Sequence, residues 1–422
     1  MKKNIKDKLQ KIDKDYLSLL IDIGKTAKEE KLKAYLVGGM IRDLLLGYEN
    51  LDIDIVVENS AKHLAETLVK KFPNCELSAK HDRFHTAKLI FNINGKKVPV
   101  DLASTREEIY EYPAALPTVS VSDLKKDLIR RDFTINALAI SLLPDDFGEV
   151  VDLFKGLEDL NDKKIKILHN KSFIDDPTRM IRAIRFAAKL GFEIEENTEK
   201  LLKEAIDSKQ FDDLIEKIRG DRVKIEIRYL FNLSDIEKAI KIFFESGVYR
   251  MISTQLKPCR GVARNASTAN NSFKWLTYLA LIINNVNDDD KEKILKNLQL
   301  TASEIKIIQL AFQAYENLQK LNNIDSINIY RNLKGLEDES LAIVKLLTSV
   351  ETLHCSVSTA LIDEFINKTS KIKLEISGQD LISIGVAEGK QIGEILDKIL
   401  EMKIKNPNMK KEEEIKEAEK LI

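Results

Sequence analysis

The strongest constraint on the fold is a change of periodicity near Gly156. Upstream, short β-rich runs at residues 34–37, 51–58, 86–92 and 97–104 are separated by helical patterns at 41–46 and 61–71. Downstream, strand signals nearly vanish. Residues 160–168 read as a short extended passage, while 177–190, 196–208, 211–218, 222–231 and 235–244 carry helical spacing, as does most of the remaining chain. Such a chain cannot spread one sheet through its length. It is expected to build a small α/β unit ending near Phe154, followed by a mostly helical remainder. Breakers are scarce, with 16 Gly and 8 Pro in 422 residues, and long helices tolerate few of either. That length exceeds what one core usually organises, so two to four domains are expected.

Ahead of the first strand, Leu9, Ile12, Tyr16, Leu19, Ile23 and Ala27 recur at helical spacing, which predicts one amphipathic helix over residues 5–31. Farther on, residues 257–272 read as a dividing loop, Ser377 as an N-cap before a helix over 380–384, and 403–422 as a charge-rich helix with a solvated face. Net charge does not announce a nucleic-acid partner, because 67 basic against 68 acidic residues leave −1. A polyanion must therefore be met by basic residues gathered on one face. Cys75, Cys259 and Cys355 lack metal-type spacing and read as reduced thiols. The N-terminus carries no apolar signal core, and the best apolar run, 275–283, is far too short to span a bilayer. A cytoplasmic protein with no membrane partner is expected.

Chemistry is concentrated in the α/β part. Leu51-Asp52-Ile53-Asp54-Ile55 alternates, so Leu51, Ile53 and Ile55 are expected to enter a core while Asp52 and Asp54 share the other face. Adjacent carboxylates repel, and a divalent cation relieves them. Mg²⁺ suits carboxylate oxygens together with nucleotide phosphates, and it serves in-line phosphoryl displacement. Asp-x-Asp alone is a weak signal, although Asp is unfavourable within strands. Just upstream, Tyr35-Leu36-Val37 runs into Gly38-Gly39 and then a short helix that Gly47 can end. Such a turn lets backbone N–H groups approach a phosphate, and Arg42, one turn in, is placed to reach a triphosphate.

Together, GGMIRD and LDIDIVVE resemble the nucleotidyltransferase superfamily that contains DNA polymerase β. Within it they resemble the class II tRNA nucleotidyltransferase and bacterial poly(A) polymerase family. The implied fold is an α/β nucleotidyltransferase head with a small mixed sheet, followed by all-α neck, body and tail. The expected layout is an N-terminal helix at 1–30, head at 31–155, neck at 156–232, body at 233–375 and tail at 376–422. Leu128-Ile129-Arg130-Arg131-Asp132-Phe133-Thr134-Ile135-Asn136-Ala137 resembles the family's ribose-recognition motif. There Asp132 can accept from sugar hydroxyls, and Arg131 and Asn136 can hold sugar and phosphates.

Asp175-Asp176-Pro177-Thr178-Arg179-Met180-Ile181-Arg182-Ala183-Ile184-Arg185-Phe186 completes the set. Asp176 suits an N-cap and Pro177 the first helical position. Arg179, Arg182 and Arg185 then line one flank and call for an anion such as a triphosphate, while Ile181, Ile184 and Phe186 are expected to face the core. In the resembling family, the residues at Asp176 and Arg179 read the incoming base. An Arg donor beside an Asp acceptor matches the Watson–Crick edges of cytosine and adenine and leaves those of uracil and guanine unpaired. The family's usual Glu before Asp176 is Asp175 here.

Weaker features complete the reading. Asp101, after a strand, is expected either to approach the metals or to play a structural part. His81 and His85 lack partners for a metal site, and His81 is placed in a strand-loop beside the active site. Phe84, Tyr110 and Tyr112 are stacking or packing residues. Residues 107–119, with Pro113 and Pro117, read as a mobile loop. His354 has no partner nearby, so an added hydrolase activity is not expected. The resemblance implies attack of a tRNA 3′-hydroxyl on the α-phosphate of CTP or ATP, with Mg²⁺ on Asp52 and Asp54 and the tail gripping the tRNA elbow. Addition of CCA, of CC or A alone, or of poly(A) all remain open, as does a non-catalytic RNA-binding protein, against which the intact carboxylates and arginines argue.

Overall fold

The computed structural model describes residues 4–81, 85–115, 117–217, 220–258, 274–350 and 358–422. Phe84, most of the expected dividing loop, Cys259, His354 and Cys355 lie outside the described residues. The chain opens with α1 (Lys6–Leu9), α2 (Lys14–Glu29), β1 (Ala34–Val37), α3 (Gly39–Leu46), β2 (Ile53–Val57), α4 (Ala61–Lys71), β3 (Cys75–His81), β4 (Thr86–Ile93) and β5 (Lys96–Ser104). It continues through β6 (Arg106–Ile109), β7 (Thr118–Val121), α5 (Leu124–Ile129), β8 (Ala139–Ser141) and β9 (Val150–Val151).

Seven of these strands form a mixed sheet in the order β3-β4-β5-β2-β1-β8-β9. Every neighbouring pair is antiparallel except β2 with β5, which run parallel with Asp54 opposite Asp101. On one face Ile53, Ile55 and Val57 join the main head core with Leu20, Ile23, Leu36, Leu89 and Leu102. On the other, Val37 and Val56 pack with Leu124, Leu128 and Ala137. The carboxylate strand is thus covered on both sides beyond Asp54.

Several sequence expectations change here. The single first helix is two, because the Asp13 carboxylate accepts from the Asp15 amide and starts a new helix where the backbone is extended. Leu51 is 43% exposed rather than buried, since the strand begins only at Ile53. Residues 107–119 are not all loop: β6 and β7 pair antiparallel, Arg106 opposite Val121 through Ile109 opposite Thr118. Their two prolines lie in the connection, where no ladder donor is lost.

The helical part comprises α6 (Gly156–Asn161), α7 (Ser172–Asp175), α8 (Thr178–Leu190), α9 (Glu196–Asp207), α10 (Leu214–Lys217), α11 (Gly220–Phe231) and α12 (Ile236–Glu245). A minimal parallel pair, β10 (Lys164–Ile165) with β11 (Glu193–Ile194), interrupts it. After the gap come α13 (Lys274–Ile283), α14 (Asp288–Asn297), α15 (Ala302–Gln319), α16 (Ser326–Leu333), α17 (Asp338–Val350) and α18 (Thr359–Asn367), then α19 (Gly378–Ser383), α20 (Lys390–Lys405) and α21 (Lys411–Glu419). No helix among the described residues is long and apolar enough to cross a membrane.

The chain divides into two compact units: Met1–Leu214 with Leu233–Met251, and Ile215–Asn232 with Ile252–Ile422. In the first, α6 seats the turn that precedes β8. A Cβ on Gly156 would lie 2.3 Å from the Thr134 carbonyl oxygen, so only glycine allows this approach. In the second, α19 to α21 enclose a small core of Ile376, Leu381, Val386, Ile395, Ile399 and Ala418. Ser377 and Asp380 form the capping box of α19. The expected solvated helix at 403–422 is broken between Lys405 and Lys411, and Lys403 and Glu414 are buried as an ion pair across the break. Glu414 also accepts from the amides of Glu375 and Ile376, which explains why its charge is tolerated inside.

Candidate active site

Gly38 ends β1 with a positive φ of 84°, and a Cβ there would stand 3.0 Å from Asp54 Oδ2. The glycine turn therefore runs directly against the carboxylate. Asp54 lies on β2, partly buried, beside Asp101 on β5. Asp52 sits just before the strand, exposed, with its amide donating to Asn50 Oδ1. Burial pushes the Asp54 carboxyl up to about 6. Arg131 and Lys88 pull the other way, while Asp101 and Asp52 add to the rise. Lys88 Nζ stands 3.6 Å from Asp101. A cleft of about 420 Å³ opens here, lined by Asp54, Asp101, Lys88, Arg106, Arg130 and Arg131.

The basic wall of this cleft is built by a carboxylate that sequence reasoning missed. Asp127 is fully buried on α5 and accepts from Arg130 Nε and Nη2 and from Arg131 Nη2. Burial alone would raise its carboxyl, but the two arginines hold it below the ordinary range. The spacing of three and four residues, running off the end of α5, was the available signal. Arg131 Nε remains buried without a hydrogen-bond partner, a donor suited to an incoming anion. Arg130 reaches Glu108 of β6 at 2.8 Å, and Tyr110 donates to the same carboxylate, so Tyr110 is tied into the hairpin while Tyr112 stays exposed.

A second cluster surrounds Asp132. Its Oδ1 accepts from the Phe133 amide and Asn136 Nδ2, and its Oδ2 accepts from Arg182 Nε and Nη2. Burial pushes this carboxyl up, yet Arg182, Asn136 and the Phe133 amide together hold it below the usual range. Asn136 Oδ1 accepts in turn from Arg42 Nη1 at 2.6 Å, and Arg42 is paired with Asp43. Arg42 is only 3% exposed. It is held between Asp43 and Asn136.

Helix α8 joins both clusters. The Asp176 carboxylate accepts from the Thr178 amide and hydroxyl, but it stands one residue ahead of the expected place, since Pro177 is the N-cap and the helix begins at Thr178. Arg179 is 5% exposed. It donates to Ser172 Oγ and to the carbonyl of Arg130. Arg182 crosses to Asp132, and Arg185 lies over the Phe186 ring. Phe186 is buried, as expected, but on the arginine flank, because residues 182, 185 and 186 adjoin on one helix face.

The carboxylates fit a divalent cation of the Mg²⁺ type. Asp54 and Asp101 bring negative charge to the cleft and Asp52 lies just outside it; burial first, then these two neighbouring carboxylates, drive the Asp54 carboxyl upward. Among the described residues no three His, Cys, Asp or Glu side chains are close enough to cage a metal. Mg²⁺ commonly takes one or two carboxylates and completes its shell with water and substrate phosphate, so the donor set is of the expected kind.

The chain is also similar to known proteins. The Poly A polymerase head domain family matches residues 34–166, and the family described as the probable RNA and SrmB-binding site of polymerase A matches 191–259. The A-adding tRNA nucleotidyltransferase of Geobacter sulfurreducens is 33% identical over 96% of this chain, which spans 47% of that protein, about half the length of this curated relative. A solved CCA-adding enzyme, apo form II, superposes with a TM-score of 0.83 at 32% identity, covering 100% of this chain and 99% of the other. The Thermotoga maritima CCA-adding enzyme complexed with tRNA gives 0.79 at 30% identity, over 99% and 98% of the two chains. With a carboxylate-and-arginine cleft on a mixed-sheet head, and likeness to these enzymes along its whole length, the chain belongs to the tRNA nucleotidyltransferase and poly(A) polymerase family.

Proposed function

We propose that this protein adds C and A nucleotides from CTP and ATP to the 3′ end of tRNA, making or repairing the CCA end without a nucleic-acid template. The observation that carries this reading is the cleft where Asp54 and Asp101 face Arg131 and its unpartnered Nε. Asp52 and Asp54 are the residues that would hold Mg²⁺, which when bound acidifies an attacking hydroxyl and offsets charge on leaving pyrophosphate. The Gly38–Gly39 turn lets the triphosphate approach the backbone, and Arg131, Arg182 and Arg185 neutralise it. Asp132 accepts a ribose hydroxyl in exchange for one of its hydrogen bonds from Arg182, while Arg42 holds Asn136 beside it. Asp176 and Arg179 present acceptor and donor to the base edge, standing in for a template.

The deciding experiment offers tRNA trimmed to successive 3′ ends with CTP, ATP or both. Incorporation of two C and one A, then arrest, is the expected result. A second reading is addition of A alone, favoured by likeness to the Geobacter protein of that name. It predicts incorporation only on tRNA ending in CC and none from CTP. Long A tails on unstructured RNA, made as fast as on tRNA, would sink both in favour of a poly(A) polymerase.

A further inference from the structure

The polar chain around Asp132 closes on a hydrocarbon ring. Arg42 donates to Asn136, Asn136 donates to Asp132, and Arg182 donates to Asp132 from the far side. Both arginines at the ends of this chain return to one side chain. Their guanidinium carbons lie 4.8 and 5.6 Å from the centre of the Phe186 ring. Arg185 is nearer still, at 4.5 Å. Phe133 meets the same ring edge to face, with centroids 5.8 Å apart. Phe186 is 5% exposed, so water does little to screen these contacts.

Three like charges around one point repel. Asp43 and Asp132 offset two of them, through Arg42 and Arg182. The ring supplies a further attraction, because its π-face is negative and a planar guanidinium stacks on it. An aliphatic side chain of similar size would fill the same volume and offer the cations nothing.

We propose that Phe186 is a positioning residue for nucleotide binding, its ring holding Arg42, Arg182 and Arg185 together before the triphosphate arrives. The inference rests on the proposed nucleotidyl transfer, in which arginines of this cluster meet the triphosphate. Their convergence is then set during folding rather than at the moment of binding, and the nucleotide gains the difference as affinity.

The test replaces Phe186 by phenylalanines carrying one, two and three ring fluorines, which drain the π-face with little change of shape. The KM for ATP and for CTP is expected to rise stepwise, by about tenfold at three fluorines. The KM for trimmed tRNA and the melting temperature should stay where they are. Phe186→Leu should raise nucleotide KM at least as much, and Phe186→Tyr should restore it. A flat nucleotide KM across the fluorinated series, in an otherwise active enzyme, overturns the proposal. So does a rise that tracks loss of melting temperature, since packing alone would explain it. Wild-type protein that incorporates neither nucleotide overturns the functional reading beneath instead.

Discussion

Asp54 and Asp132 are both acidic residues assigned to the proposed nucleotide site, and their surroundings are opposite. Asp132 is buried among donors: two from Arg182, one from Asn136, one from the Phe133 amide. Asp54 is partly buried among acceptors, with Asp101 and Asp52 near and only Arg131 and Lys88 opposing them. The first is finished by the protein itself. The second is left in electrostatic debt that a bound cation can settle. On the proposed function, stability and chemistry are therefore divided between two carboxylates of the head, and mutation should separate them.

The largest effect is expected at Asp54. Asp54→Asn should lower incorporation by about a thousandfold or more, because metal-borne transition-state stabilisation is worth several kcal/mol. The melting temperature should hold or rise, since one of three crowded negative charges is gone. A mutant that turns over near the wild-type rate would break the comparison on its catalytic side.

Asp132→Ala should show the reverse balance. It strands Arg182 and Asn136, so stability should fall by about 2 kcal/mol in denaturant unfolding, with Arg182 at 31% exposure limiting the loss. Incorporation should fall roughly a hundredfold, about the 2.7 kcal/mol of a site that no longer holds its arginine. Unchanged unfolding would mean the saturated network contributes nothing to the fold.

Much of this division could be read from the residues, and some could not. The period-two pattern around Asp54 and the Gly38-Gly39 turn are local, so strand, turn and carboxylate face were visible, as was the loss of strand signals after Gly156. The start of the strand was misjudged at Leu51, where alternation continues in the letters although pairing has stopped. β3 escaped because Cys75–His81 mixes polar and apolar residues on a sheet edge. The hairpin of β6 and β7 escaped because Pro113 and Pro117 dominate its reading. Arg42 was expected to face a ligand, and Phe186 to face away from the arginines. The Phe186 placement had a local signal, its position four residues after Arg182 on one helix, whereas the bonds of Arg42 with Asn136 and of Arg182 with Asp132 join residues 94 and 50 positions apart. No local pattern encodes those two long-range bonds.

Two smaller effects sharpen the comparison. Arg179→Ala should cut discrimination against UTP and GTP by about tenfold, the worth of one hydrogen bond in a buried site. Arg185→Ala should weaken the use of all four nucleotides alike. Competition assays with mixed triphosphates distinguish the two, and full C and A selectivity in Arg179→Ala would remove that residue from base reading. The smallest change is expected from Lys88→Gln. Its pair with Asp101 is 3.6 Å long and half exposed, so unfolding should shift by no more than about 0.5 kcal/mol.

The lone parallel pairing in the head has a consequence for anyone preparing this protein. Asp54 and Asp101 stand side by side only because β2 and β5 run the same way in one register. A slip of a single residue would turn Asp101 to the opposite face, and with it would carry Val98, Val100 and Leu102 out of the head core. Misaligned molecules would therefore expose an apolar row and aggregate rather than persist beside the good ones. Material that stays in solution after refolding is expected to carry the correct register, so the apolar face of β5 proofreads the placement of the carboxylate on its other face.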